Sequence, residues 1–485
     1  MSTAVSAATA VPPPEPTSGM QVPLVDLTLV RRHLLAGFLW MVGSMAAGLL
    51  VSLQFLGRYP IDFVEIFSPG RVRMVHTNLI AYGFLLNCLA GASYWVVPRL
   101  TGLPLPWPKL ARVNFWLMQL MGAALVVMLL GGMAQAVEWG ETPVLLDPLV
   151  ALVAVVFFLN IGACMFKIGR RPVYVTLWYF SAATIWTALT YLMGNYLPEF
   201  FVPGAAGGAI AGLYIHDLVG LFVTPLGWGA MYYFVPLLLK RPIYSHALSL
   251  IGFWGLAFFY PLQGVHHFLW SPIPMYAQYG AVVSTIAIEI VVTTVIVTFF
   301  LTLRGQMDQL RTNLPLRWFY TGMVLYFTTC LQCSVQVLLS VQKIIHFTDW
   351  VVGHAHLVMF GVFGFWIFGI IVHLWPKLTG RPWWSEKLNA WHYWLSTAGL
   401  VTMFLDLLVA GVMQGFLWRN LAPWESSITA SVPFWAIRTV SGLVIAAGQV
   451  CLLWNMWKSR GAKAHAPMVP FFTPADAARP GAPSS

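Results

Sequence analysis

H-F-T-D-W-V-V-G-H-A-H, residues 346–356, runs directly into L-V-M-F-G-V-F-G-F-W-I-F-G-I-I-V at 357–372. His354 and His356 therefore open a segment apolar enough to cross a bilayer, where an imidazole without a partner is costly. On a helix, side chains two residues apart point about 200° from each other. The two histidines cannot share one metal, but each can hold a flat cofactor on its own side of the helix.

Four more histidines lie in the same kind of setting: His76, His216 and the adjacent pair His266 and His267. Neighbouring helical residues diverge by about 100°, so His266 and His267 can converge on one ion if a third ligand approaches. His216 is at the right depth to be that ligand. Three neutral imidazoles suit copper, and also zinc or iron. His76 is then left to pair with His354 or His356 as a bis-histidine haem. The other becomes a single axial ligand whose haem keeps an open position facing the histidine-held metal. A closed haem for electron transfer and an open haem beside a metal make a small-molecule reduction site. One histidine alone would be an ordinary structural residue; six gathered at one depth are not.

Composition sets the class. Hydrophobic residues make up 59% of the chain and charged residues 9%, against about 25% charged in soluble domains, and the mean hydropathy is +0.75. The reading is an all-α polytopic membrane protein with twelve transmembrane helices. They are expected near 34–56, 75–98, 111–133, 147–167, 173–194, 207–238, 247–270, 278–302, 316–340, 350–376, 390–416 and 435–458. Twenty of the 26 Lys and Arg then fall on one side, which puts both termini in the cytoplasm. The six on the other side are Arg58, Arg71, Arg73, Lys343, Arg419 and Arg438. The net charge of +10 reflects topology or attraction to anionic lipid and gives no sign of nucleic acid.

The catalytic domain is expected over 26–463, flanked by disordered cytoplasmic tails at 1–25 and 464–485. The first apolar run starts too late, and is too long, for a cleaved signal peptide. Cys88, Cys164, Cys330, Cys333 and Cys451 all sit in spans and read as small core residues. No C-x-x-C-H, P-loop, dinucleotide fingerprint or internal repeat is recognised. His33, His246, His373, His392 and His465 fall at cytoplasmic ends or in the tail, where solvated or headgroup roles suffice.

Several ordered motifs now carry a resemblance over nearly all of the spans. They are G-R-V-R-M-V-H-T-N at 70–78, Y-I-H at 214–216, M-Y-Y-F-V-P at 231–236 and R-P-I-Y-S-H-A-L-S at 241–249. Y-P-L-Q-G-V-H-H at 260–267 and the opening stretch at 346–356 complete the set. The chain resembles the catalytic subunit I of the C-family, cbb-type haem-copper cytochrome c oxidases. The resemblance implies that His216, His266 and His267 bind copper, that His354 holds the high-spin haem, and that His76 and His356 hold the low-spin haem. It implies two b-type haems, one copper and a calcium site near Glu138. It places Arg73, His346, Asp349 and Trp350 around the haem propionates, and Tyr232, Ser249 and Tyr326 along the proton-input path. Tyr260 matches the family tyrosine joined to a copper-ligand histidine, here His216. Splitting O₂ in one step takes four electrons, and a phenol beside the metals can supply one together with a proton.

The implied activity is cytochrome c oxidation and O₂ reduction to water with proton uptake and pumping. The implied setting is the bacterial inner membrane, with the haems near its outer face. The implied partners are membrane-anchored c-type cytochrome subunits and cytochrome c. The chain departs from the pattern at Gln332, where the family has glutamate, and at Val291–Thr294, where it has S-W-G-G. It also carries Glu289 at mid-depth, a buried acid that calls for a partner or a function. Nitric oxide reductases share the architecture, with iron in place of copper and a glutamate four residues after the position of His216. That position is Gly220 here, which with Tyr260 favours oxygen; Glu289 and Gln332 leave nitric oxide as the alternative. A non-enzymatic haem carrier or transporter would leave Tyr260 and the three-histidine group unexplained.

Overall fold

Apolar residues on every face, interrupted only by short Pro-, Gly- and Asp-containing turns, leave the chain one way to satisfy its backbone in lipid, which is helix. The computed structural model describes residues 24–167 and 173–463. The expected tails, apart from residues 24 and 25, lie outside the described residues, as do Arg170, Arg171 and His465. Among the described residues there are helices and no strands.

The long helical segments, in chain order, are α1 Leu27–Leu56, α2 Pro69–Thr101, α3 Pro108–Leu130, α4 Val144–Lys167, α5 Val175–Phe200 and α6 Gly204–Leu239. They continue with α7 His246–Phe268, α8 Met275–Leu303, α9 Leu314–Gln336, α10 Asp349–Thr379, α11 Glu386–Arg419 and α12 Trp424–Gly461. Among the described residues, ten are long and apolar enough to cross a membrane, and an eleventh qualifies if α9 is taken with Leu339–Ile345, which bends away by 103°. This is one fewer than the twelve crossings expected. The difference is α5, 26 residues long but loaded with Trp178, Tyr179, Trp186, Tyr191 and several threonines, which lower its apolarity without shortening it.

Helices α2, α6 and α10 bury most of their length, whereas the others expose broad lipid-facing sides. These three inner helices carry His76, His216, His354 and His356, and they repeat one another. In each, a π-helical stretch starts one to three residues after the last histidine of that group: Leu79–Leu85, Leu218–Val223 and Leu357–Gly364. The extra backbone residue per turn swings the following side chains around, a device common at functional sites.

The repeat continues to the helix ends. Y-W-V-V-P-R-L-T-G-L-P at 94–104, Y-Y-F-V-P-L-L-L-K-R-P at 232–242 and V-H-L-W-P-K-L-T-G-R-P at 372–382 close the three helices. The ninth residue of each is left-handed: Gly102 at φ 69°, Lys240 at φ 52° and Gly380 at φ 65°. Three residues past the closing proline, Trp107, Ser245 and Ser385 cap the next helix. Ser245 and Ser385 do so with near-identical backbone angles. The internal repeat that the sequence pattern did not disclose is therefore present, written in turn geometry more than in identities. Lys240 in a glycine's conformation is one reason it is hard to see.

Two further expectations change. His33 and His392 are fully buried rather than solvated, because α2 packs over His33 and Gln449 of α12 meets His392 at 3.1 Å.

Candidate metal centre

The apolar run of α7 stays α-helical only to Phe259. Pro261 has no N–H to donate to the preceding turn and crowds its carbonyl. The chain continues as tighter turns, Tyr260–Leu262 and Gly264–Phe268. His266 and His267 thus sit on a 3₁₀ turn, not on the α-helix expected from sequence.

His216, His266 and His267 offer ring nitrogens that all lie within 4.8 Å of one another. Nitrogens bound to one ion at about 2.0–2.1 Å are at most about 4 Å apart, so small side-chain shifts would close the site on a metal. At His266 and His216 the second ring nitrogen is committed elsewhere. Thr285 Oγ1 donates to the Ala281 carbonyl at 2.7 Å and so accepts from His266 Nδ1 at 2.8 Å, which leaves Nε2 of His266 as the ligand. His216 Nε2 faces the Gln263 carbonyl oxygen at 3.2 Å, while its Nδ1 meets His267 Nε2 at 3.3 Å. Such partners fix tautomer and ring orientation.

Tyr260 stacks on His216, with ring centres 4.1 Å apart and planes 19° apart. The phenol occupies the space above Gly220: a Cβ built on Gly220 would lie 1.6 Å from Tyr260 Cε1. Any side chain at 220 is incompatible with the ring where it stands. Tyr260 and Gly220, the two features that the resemblance sets against the nitric oxide reductase pattern, are one packing arrangement.

His354 and His356 face different ways. His354 lies within electrostatic reach of His216, His266 and His267. Its Nδ1 meets the Gln332 carbonyl oxygen at 3.1 Å, and its Nε2 side is bordered by Gln336 at 3.4 Å and the Cys333 sulfur at 3.8 Å. Cys333, expected to be a plain core residue, thus borders the site. His356 instead faces His76, with ring centres 6.2 Å apart and planes 26° apart. One iron between two imidazoles needs about 6 Å, from two bonds of about 2 Å each and about 1 Å from each nitrogen to its ring centre. His76 Nδ1 donates to the Ser44 carbonyl at 2.7 Å and His356 Nδ1 to the Val352 carbonyl at 2.8 Å, so both Nε2 atoms are free for such an iron.

Around these rings lie the other expected residues. His346 Nε2 meets the His267 carbonyl at 3.1 Å. Asp349 accepts from Gln414 and Trp435, each at 2.7 Å, and Trp350 Nε1 donates to Gln336 at 3.0 Å. Arg73 is half-exposed and 3.6 Å from Glu141. Glu138 is exposed, whereas Glu141 is buried and accepts from Asn78 at 2.6 Å. Burial raises the Glu141 carboxyl above its ordinary value, against the opposing pull of Asn78 and Arg73. Sequence reasoning also missed Arg438. It is buried, stacks over Phe55 at 4.2 Å, lies near His356, and has one guanidinium nitrogen without a partner. A buried guanidinium with one unpartnered nitrogen beside a haem-type histidine fits a propionate.

On the other side of the site, Ser249 Oγ donates to the His246 carbonyl at 2.7 Å. Tyr179 donates to the Ser249 carbonyl at 3.3 Å and stacks on Tyr232, ring centres 5.9 Å apart. Tyr179, on α5, is not singled out by the sequence pattern. The Tyr232 hydroxyl is buried without a partner. Tyr326 packs edge-on to Trp228 at 5.8 Å and lies beside Cys330. Glu289 is half-buried and faces Ser334, whose hydroxyl donates to the Cys330 carbonyl at 3.3 Å, on the α9 side that holds Cys330 and Tyr326.

A family model described as "Cytochrome C and Quinol oxidase polypeptide I" matches residues 28–444. The chain is 28% identical over 446 residues to the "Cbb3-type cytochrome c oxidase subunit CcoN1" of Stutzerimonas stutzeri, covering 89% of this chain and 94% of that one. It is 26% identical over 459 residues to a nitric oxide reductase subunit of the same organism, covering 87% and 92%. A solved haem-copper terminal oxidase dimer superposes with a TM-score of 0.76 at 15% identity, covering 91% of this chain and 85% of that one.

Proposed function

The chain belongs to the cytochrome c and quinol oxidase polypeptide I family, and from that premise we propose that it is the catalytic subunit of a cbb-type cytochrome c oxidase reducing O₂ to water. The observation that carries the reading is Tyr260 stacked on His216 in space that only a glycine at 220 leaves free. A glutamate at 220, as the nitric oxide reductase pattern requires, would collide with the phenol.

His216, His266 and His267 would hold copper, His354 the high-spin haem, and His76 with His356 the low-spin haem. When bound, these groups supply electrons and the place where O₂ is reduced. The chain's own residues do the rest. Tyr260 gives up one electron and its hydroxyl proton together, so that four electrons reach O₂ before partly reduced oxygen can leave. Gln263 and Thr285 hold the His216 and His266 rings with one nitrogen turned inward. Arg438 and Arg73 would neutralise haem carboxylates.

Ser249, Tyr179, Tyr232 and Tyr326 form the hydroxyl-bearing route by which protons reach Tyr260. Glu289, through Ser334 and Cys330, is a second proton-holding group beside that route. Electrons arrive from c-type cytochrome subunits of a membrane complex, with cytochrome c as donor. Both termini lie in the cytoplasm and the haems near the outer face.

Oxygen consumption by the purified complex, fed with reduced cytochrome c, tests this. Tyr260→Phe is expected to lower turnover about 100-fold or more with haem content unchanged. Little oxygen use by wild-type complex with full haem content, together with nitric oxide consumption, would overturn the reading and make Glu289→Gln the next variant.

A further inference from the structure

A surface groove of about 410 Å³ opens where α1, α10 and α12 meet. Its walls are Leu35 and Leu39 of α1 and Leu453, Trp454 and Trp457 of α12, and its floor is Trp375. Leu39, Trp454 and Trp457 are each about half exposed, at 47%, 48% and 51%, so the groove faces outward from the bundle. At one end stands Arg460, and no lining residue is acidic.

Three features identify the occupant. The first is length. From Val450, at the far end, to Arg460 is ten residues, or about 15 Å along the helix. That is half of a hydrocarbon core about 30 Å thick, the depth of one leaflet. The second is charge. Arg31 is exposed one helical turn before Leu35, at the same end as Arg460. Lys458 lies over the Trp454 and Trp457 rings at 5.2 and 4.9 Å. The third is the ring of tryptophans at that end, Trp384, Trp454 and Trp457, the residue type that settles at headgroup level.

A soluble ligand would have no use for an apolar slot one leaflet deep. An uncharged hydrocarbon would have no use for the cations. Basic pockets between helices at such a level bind anionic headgroups. We propose that this groove holds one anionic phospholipid of the bilayer, its acyl chain between α1 and α12 and its phosphate against Arg460 and Arg31.

The test is native mass spectrometry of the intact purified complex, after detergent washing and re-addition of phosphatidylglycerol or phosphatidylcholine. Wild type is expected to retain one phosphatidylglycerol. Leu39→Trp, which fills the slot and leaves the charges, is expected to release it. Arg460→Ser is expected to lower the preference for phosphatidylglycerol about fivefold, the effect of one interfacial cation. Haem spectra and oxygen consumption serve as folding controls; neither residue belongs to the redox machinery, and if one variant misfolds the other still decides. Equal retention in wild type and the folded variants would overturn the proposal. So would retention with no headgroup preference, or a Leu39→Cys variant that cross-links to another subunit seated in the groove.

Discussion

The two groups of histidines are held by different means. His76 and His356 are oriented mainly by main-chain carbonyls, those of Ser44 at 2.7 Å and Val352 at 2.8 Å, with the Ser44 hydroxyl a longer contact to His76 Nδ1 at 3.1 Å. His216, His266 and His354 are oriented by side chains, Gln263, Thr285 and Gln332. A carbonyl in a helix cannot be substituted away, so the proposed low-spin pair is fixed by the fold itself. The reaction site can be retuned one residue at a time. This suits the proposed roles, a site whose chemistry must be adjusted next to one that only passes electrons.

The largest effect is expected where a side chain is forced against a ring. On the reaction side, Gly220→Ala puts a methyl group where Tyr260 now lies, and the ring must leave His216. Turnover should fall about as far as in Tyr260→Phe. On the electron-transfer side, Gly48→Ala brings a methyl group to 2.7 Å from His76 Cε1. Overpacking of this size costs about 1–3 kcal/mol. It should alter the low-spin haem spectrum while copper content stays whole. Metal analysis and optical spectra of the two variants check the division. If Gly48→Ala empties the copper site, or Gly220→Ala leaves turnover intact, the two regions are not independent in the way described.

A smaller effect is expected from the partners themselves. Thr285→Val keeps the volume of the side chain but removes the hydrogen-bond acceptor at His266 Nδ1. Loss of such a partner typically costs about 10–100-fold in metal affinity. Ser44→Ala removes the hydroxyl that donates to the His76 carbonyl at 2.7 Å and lies 3.1 Å from His76 Nδ1, but leaves in place the shorter bond from Nδ1 to the Ser44 carbonyl at 2.7 Å. Low-spin haem retention should therefore barely change. Copper titration of the first variant and haem quantitation of the second measure both. Equal losses at the two sites would erase the contrast between backbone and side-chain support.

What the sequence disclosed follows the same physical division. Burying an imidazole in lipid is expensive wherever it happens, so the six histidines stand out in the chain before any fold is known. The length of an apolar run is a local property too, and it located the helices. Contacts across helices depend on rotation and packing that no single segment carries. Thr285, Tyr179, Cys333 and Arg438 were therefore missed, although Arg438, an arginine within a span, carried a usable signal. Pro261, only five residues before His266, was a legible sign that α7 would not stay α-helical. The three-fold recurrence of α2, α6 and α10 is fixed by backbone turns, which different residues can satisfy.

Gln332 gives the finest test. Its carbonyl oxygen accepts from His354 Nδ1 at 3.1 Å, and its buried amide nitrogen has no partner. A neutral acceptor leaves His354 an ordinary imidazole. A carboxylate there would draw the Nδ1 proton and make the ring a stronger electron donor, as carboxylate partners do for other metal-bound histidines. Gln332→Glu should therefore favour the oxidised high-spin iron and lower its midpoint potential. The low-spin potential should stay put, because His356 answers to Val352. Potentiometric titration of the two haem signals reads both shifts. The change in turnover should be modest, since Tyr260, His216 and their neighbours are untouched. A drop in the low-spin potential as large as in the high-spin one would mean that the charge acts through the whole core and not through His354.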